Sequence, residues 1–228
     1  MKEEHSKRVR DNIVMLCKSL ETSEKEMLLA EAMALLHDIG RFEQYAVYGT
    51  FNDMDSENHA KLGLRQIGLH KILRIFPKYE KRLIAKAIAY HNVIALPKAG
   101  DKKKMFFMRL LRDADKLDIW KVVIDYYQER EEKPNATIEL GLPDGHRCSP
   151  EVLHALTEHK QVKTQDLKTL NDFKLLQISW VFDLNFIPSF QTVQKRKYIE
   201  QIAFTLPQSI EVKEAVKHAH DYVLRWLQ

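Results

Sequence analysis

The chain has 228 residues, 45% of them hydrophobic and 30% charged, which is enough to bury a core in an ordinary globular balance. Seven glycines and seven prolines argue against disorder and against a loop-rich β architecture. The 36 basic and 32 acidic residues leave +4, too little to require a nucleic-acid polymer as partner. Two cysteines, Cys17 and Cys148, cannot build a disulfide framework and suit a reducing compartment. The charged residues 1–5 precede no apolar core of signal length, and no apolar run is long enough to span a membrane. A cytoplasmic protein with no membrane partner is the expectation; oligomeric state is left open.

Apolar residues recur at helical spacing along almost the whole chain. Val9, Ile13, Leu16 and Leu20 mark a helix over about 4–20. Ser23 and Glu26 form a capping box for a second helix that stops near Gly40. Residues 41–55 carry no period and read as a loop. Ser56 is expected to cap a helix reaching about Phe76, and Pro77 to open the next, which runs to about His91. A break over 96–101 precedes a long helix from about Lys104 to about Glu131. Residues 133–149, with Pro134, Gly141, Pro143 and Gly145, read as a long loop or short hairpin. Further helices are expected around 150–159, 166–183, 189–204 and 208–227, with Trp180, Phe182, Phe186, Phe190 and Tyr198 as core. The fold class is therefore all-α, with a core over 1–131 and a helical extension over 132–228.

The ten histidines are the informative feature. His37 and His91 fall in last turns of predicted helices, His5 and His59 in first turns, and Asp113 inside the long helix. Helix ends can converge in a bundle, and imidazole with carboxylate suits divalent first-row metals. A helix-end histidine also has a plainer role as partner of the helix dipole. The adjacent pair His37-Asp38 is harder to dismiss, because an aspartate beside an apolar run calls for a partner. By residue type and spacing alone the reading stops at a candidate metal site.

Leu35-Leu36-His37-Asp38-Ile39-Gly40-Arg41 resembles the signature of the HD superfamily of metal-dependent phosphohydrolases. His5-Ser6-Lys7-Arg8-Val9 looks like its opening histidine helix, and Arg112-Asp113-Ala114-Asp115-Lys116-Leu117-Asp118 like its distant aspartate motif. Asn58-His59-Ala60-Lys61-Leu62-Gly63 and Ile88-Ala89-Tyr90-His91-Asn92 resemble the two extra histidine motifs of members with two metals. The resemblance covers about residues 1–130. It implies an HD-type helical bundle whose first metal is held by His5, His37, Asp38 and Asp113 and whose second is held by His59 and His91, with Asp38 bridging. The implied cofactor is two divalent transition-metal ions (Fe, Mn, Ni, Co or Zn, with Mg a further option). The implied reaction is cleavage of a phosphoester or phosphoanhydride, of a nucleotide or similar small molecule, by a metal-bound hydroxide. The Gly-Tyr-Pro element of the cyclic-dinucleotide phosphodiesterases is absent, which argues against that substrate.

Asp38, Arg41 and Lys116 are then the expected catalytic residues. Arg41 suits a phosphate clamp, with a surface ion pair as its plainer role. Lys116 and Arg8 are expected at a phosphate or at the hydroxide, one turn beyond Asp113 and His5. The loop 41–55, with Tyr45, Tyr48 and Phe51, would border the site as a lid or a base-stacking surface. His70, His146, His154, His159, His218 and His220 are read as surface or core residues. Two other readings stay open: a non-catalytic metal- or nucleotide-binding regulator, and a di-iron oxygenase of HD-like type.

Overall fold

The computed structural model describes residues 2–97, 100–135 and 138–228, and every regular element among them is helical. The expected breaks at 96–101 and 133–149 fall in part on residues 98–99 and 136–137, which lie outside the described residues. No helix among the described residues is long and apolar enough to cross a membrane. The chain forms two compact units, Met1–Asp118 and Ile119–Gln228. The division lies inside a helix, ahead of the Pro- and Gly-containing segment at which composition suggests a boundary.

In the first unit α1 (Lys2–Ser19) buries His5, Val9, Ile13 and Leu16 along one stripe, so the face that builds the core also turns His5 inward. Asn12 Nδ2 donates to the Ala114 carbonyl at 3.2 Å and ties α1 to the long helix. In α2 (Glu24–Leu36) the Ser23–Glu26 capping box is present, and Leu29, Ala30, Met33 and Ala34 are buried.

A helix, α3 (Gly40–Tyr48), stands where the sequence suggests a loop. Its buried residues are Gly40 and Gln44, while Phe42, Tyr45, Val47 and Tyr48 are exposed. The inward stripe thus contains no apolar side chain, and apolar periodicity has nothing to report. Gly49, at φ 67°, ends the helix in the left-handed conformation and donates its N–H to the Tyr45 carbonyl.

Asn58, not Ser56, caps α4 (His59–Leu69), accepting from the Lys61 N–H at 3.1 Å. Ser56 Oγ is instead bonded to the Asn52 carbonyl at 2.7 Å. The helix ends at Leu69 rather than near Phe76, because Lys71 turns left-handed (φ 52°) ahead of a short 3-10 turn, Ile72–Ile75. Then come α5 (Lys78–Tyr90), with Pro77 as its N-cap, and α6 (Lys102–Glu129), which the two units share.

In the second unit the helices are α7 (Pro150–Thr157), α8 (Leu170–Ser179), α9 (Ile187–Lys195), α10 (Tyr198–Phe204) and α11 (Ile210–Trp226). The single helix expected over 189–204 is two, because Lys197 takes a left-handed φ of 52°. Trp120 anchors this unit: it is buried, donates Nε1–H to the Gln177 carbonyl at 2.9 Å and packs on Trp180 and Tyr198. Phe190 and Tyr198 are buried as expected, whereas Trp180, Phe182 and Phe186 are half-buried.

Candidate metal centre

His37 and His91 reach their places by the same device. Each is the C-cap of its helix, and each donates Nδ1–H to the carbonyl three residues back: His37 to Ala34 and His91 to Ile88, both at 2.7 Å. That bond satisfies a carbonyl left open at the helix end and fixes the ring. The dipole role and a ligand role are therefore compatible in one residue. His59 opens α4 and bonds through Nδ1 to the Asp53 carboxylate at 2.8 Å, while His5 Nδ1 bonds Asp118 at 2.7 Å. All four Nδ1 atoms face a carbonyl or carboxylate oxygen, so each carries a proton there and the Nε2 atom is turned inward.

The inward atoms converge. His5 and His37 bring their Nε2 atoms to 3.2 Å, and His59 and His91 to 2.9 Å. Asp38 lies between the two pairs. Its Oδ2 is 3.6 Å from His5 Nε2 and 3.9 Å from His37 Nε2, and its Oδ1 is 3.3 Å from His59 Nε2 and 3.9 Å from His91 Nε2. Two imidazole lone pairs at about 3 Å repel unless a cation stands between them. The centre also gathers positive charge. Burial opposes protonation of His5, but the Asp115 and Asp118 carboxylates beside it raise it to about 9. Burial likewise opposes protonation of His37, and Asp38 and Asp115 raise it. Burial works against the Asp38 carboxylate, yet His37, Lys2, His59 and Arg41 hold it well below the usual carboxylate range. Burial, with His37 and His59 beside it, pushes His91 down to about 3, leaving a neutral imidazole free to ligate.

The α6 carboxylate at this centre is Asp115, not Asp113. Asp115 Oδ1 lies 3.1 Å from His5 Nε2 and 3.6 Å from His37 Nε2, and it is a buried oxygen with no aligned hydrogen-bond donor. Asp113 is fully buried but, among the described residues, enters none of the groups able to hold an ion, which are His5, His37, Asp38; His37, His91, Asp115; and Asp38, His59, His91. Residues two apart on an α-helix point about 200° apart, so one of the two aspartates must face away. Lys116 follows Asp115 in the same helix and is buried.

Arg8 and Arg41 are near the centre but engaged. Arg8 binds Asp118 through Nε at 2.6 Å and Nη2 at 3.1 Å, behind His5. Arg41 Nη1 donates to Gln44, to the Phe51 carbonyl and to Asp53, while its buried Nε faces Asp38 Oδ1 at 3.5 Å without a hydrogen bond. Asp53 is a hub that sequence reasoning missed. It accepts from His59, Arg41, Gln44 and Asn92, and although burial opposes it, His59 and Arg41 hold its carboxyl at about 2.

Two helix backbones make this convergence feasible. A Cβ on Gly40 would stand 2.1 Å from the His59 carbonyl oxygen and 2.4 Å from the Gly63 nitrogen. Only glycine allows α3 and α4 to approach so closely, and that approach sets His59 beside Asp38. Arg112, fully buried, caps the other side by donating Nη1–H to the carbonyls of Tyr90, His91 and Val93.

A family model, the HD domain, matches residues 3–128, more than half the chain and the stretch that carries every candidate ligand above. The chain belongs to the HD domain family. Comparison with curated proteins and with solved structures returns no match. HD domains are generally metal-dependent phosphohydrolases, and the His/Asp cluster of this one fits a divalent ion. The donors are imidazole Nε2 atoms, each ring held through Nδ1 by a hydrogen bond from behind, and the carboxylate oxygens of Asp38 and Asp115. The HD-domain motifs are legible in the sequence; Asp115, Asp118, Asp53 and Arg112 emerge only from the fold. Burial around nearly the whole circumference of α6 between Phe107 and Trp120 hides the phase that would have chosen Asp115 over Asp113.

Proposed function

We propose that this HD protein hydrolyses a phosphoester or phosphoanhydride with two divalent transition-metal ions, its substrate being a nucleotide or a similar small phosphorylated molecule. The observation that carries the reading is the divided carboxylate of Asp38, with one oxygen toward His5 and His37 and the other toward His59 and His91. His5, His37, Asp38 and Asp115 would hold one ion; Asp38, His59 and His91 would hold the other. Such ions, when bound, lower the pKa of water toward neutrality and take up charge on the phosphoryl oxygens. The chain's own residues supply orientation. Asp118 and Asp53 fix the His5 and His59 rings, and the Ala34 and Ile88 carbonyls fix His37 and His91. Arg8 and Arg41 act through those carboxylates, and Arg41 adds a positive charge beside Asp38. Burial of the ligands keeps bulk water from screening the centre.

The test is elemental analysis of protein loaded anaerobically with Mn, Fe, Co, Ni, Zn or Mg, followed by phosphate release from a nucleotide panel. Two ions per chain, falling to one in His59→Ala, with phosphate release, is the expected result. Bound metal without turnover would favour a regulator, oxygen consumption by the iron form would favour an oxygenase, and no bound metal would end the reading.

A further inference from the structure

Lys2 opens α1, and its Nζ donates to Asp38 Oδ2 at 2.9 Å, on the oxygen that also faces His5 and His37. The same ammonium lies 5.6 Å from the centre of the Phe51 ring, and the side chain is 24% exposed, so it stands at the border between the buried donors and solvent. Its situation differs from that of the two arginines. Arg8 is paired with Asp118 and Arg41 donates to Asp53, neither of which belongs to the groups able to hold an ion, and Arg41 Nε stands 3.5 Å from Asp38 Oδ1 without a hydrogen bond to it. The ion-pair partner of Lys2 is the one carboxylate that both groups of facing histidines share.

A divalent ion on Oδ2 and an ammonium hydrogen-bonded to the same oxygen would be like charges a few ångströms apart, in a buried setting where repulsion is poorly screened. The ammonium is the one that can leave. It ends a flexible four-carbon stem with three rotatable donors, and part of that stem already meets solvent. Once off Asp38 it has no other carboxylate to go to among its described contacts, yet the stem keeps it at the rim of the centre. A phosphate carried by the ions has oxygens left over on its outward side, and these are the nearest acceptors for such a cation.

We infer that Lys2 is a substrate-binding residue of the loaded centre: it occupies Asp38 until metal takes that oxygen, then donates to an outward oxygen of the phosphate. The inference rests on the phosphohydrolase reading above. It is tested by calorimetric titration of metal-free protein with Mn2+ and, after removal of free metal, of loaded protein with inorganic phosphate. Wild type, Lys2→Met and Lys2→Arg are compared, with helix content checked by circular dichroism.

Removing one charge-assisted hydrogen bond that metal must break should make Lys2→Met bind Mn2+ about ten- to a hundredfold more tightly. The same variant should bind phosphate about tenfold or more weakly, while Lys2→Arg stays near wild type in both. Unchanged Mn2+ affinity, or unchanged phosphate affinity, in Lys2→Met overturns the role of Lys2 and leaves the metal centre standing. A wild type that takes up no Mn2+ overturns both.

Discussion

Gly40 and the His59 carbonyl oxygen are so close that a β-carbon on Gly40 would lie 2.1 Å from that oxygen. The clash is with backbone, which cannot rotate away as a side chain can. Gly40→Ala should therefore cost about 3 kcal/mol or more and lower the first unit's Tm by roughly 6 °C or more. Metal content should fall with it, since α4 carries His59. Gly68 has open space around its would-be Cβ, so Gly68→Ala should leave metal binding unchanged and gain up to about 1 kcal/mol of helix stability. Calorimetric melting of the two variants distinguishes close approach from a general intolerance of α3 and α4 to substitution.

Asp115→Ala should weaken metal uptake by about a hundredfold or more, because it removes a donor beside His5 and His37. Asp113→Ala should lower stability, as loss of a buried polar group does, and retain wild-type metal stoichiometry. Elemental analysis of the two proteins side by side decides which aspartate of the motif is the ligand; the reverse pattern would return the role to Asp113.

Asp53→Asn should reduce metal affinity about ten- to a hundredfold through misorientation of His59. It also has a pH signature. The Asp53 pKa is depressed from 3.8 to about 2, so its stabilising effect is fully present above the ordinary value and is lost as pH falls through 3.8 toward 2. The stability gap between wild type and Asp53→Asn should be about 2 kcal/mol at pH 7 and close between about pH 4 and pH 2. Urea titrations of the metal-free proteins across that range measure it.

Arg112→Met should destabilise by at least about 3 kcal/mol, since three carbonyls at the end of α5 lose a charged donor in a buried setting. The loss should reach the centre, because one of those carbonyls belongs to His91. Reduced helix stability together with reduced metal uptake is the expected pair of results; reduced stability with intact uptake would make Arg112 a cap and nothing more.

The sequence by itself determines the all-helical class, the capping box at Ser23–Glu26, and five converging residues, His5, His37, Asp38, His59 and His91. These are local matters: periodicity, caps and motif order are carried by neighbours in the chain. What the tertiary structure decides is the rest of the centre. Helix α3 is invisible to apolar patterning because its inward positions are Gly40 and Gln44, chosen by the nearness of α4 and by the polar hub at Asp53. The choice of Asp115 over Asp113 depends on how α6 is rotated, and burial around nearly its whole circumference between Phe107 and Trp120 leaves no broad polar face from which to read that angle. Asp53, Asp118 and Lys2 owe their roles to distances across 6, 113 and 36 residues of chain, which only packing brings to hydrogen-bond length.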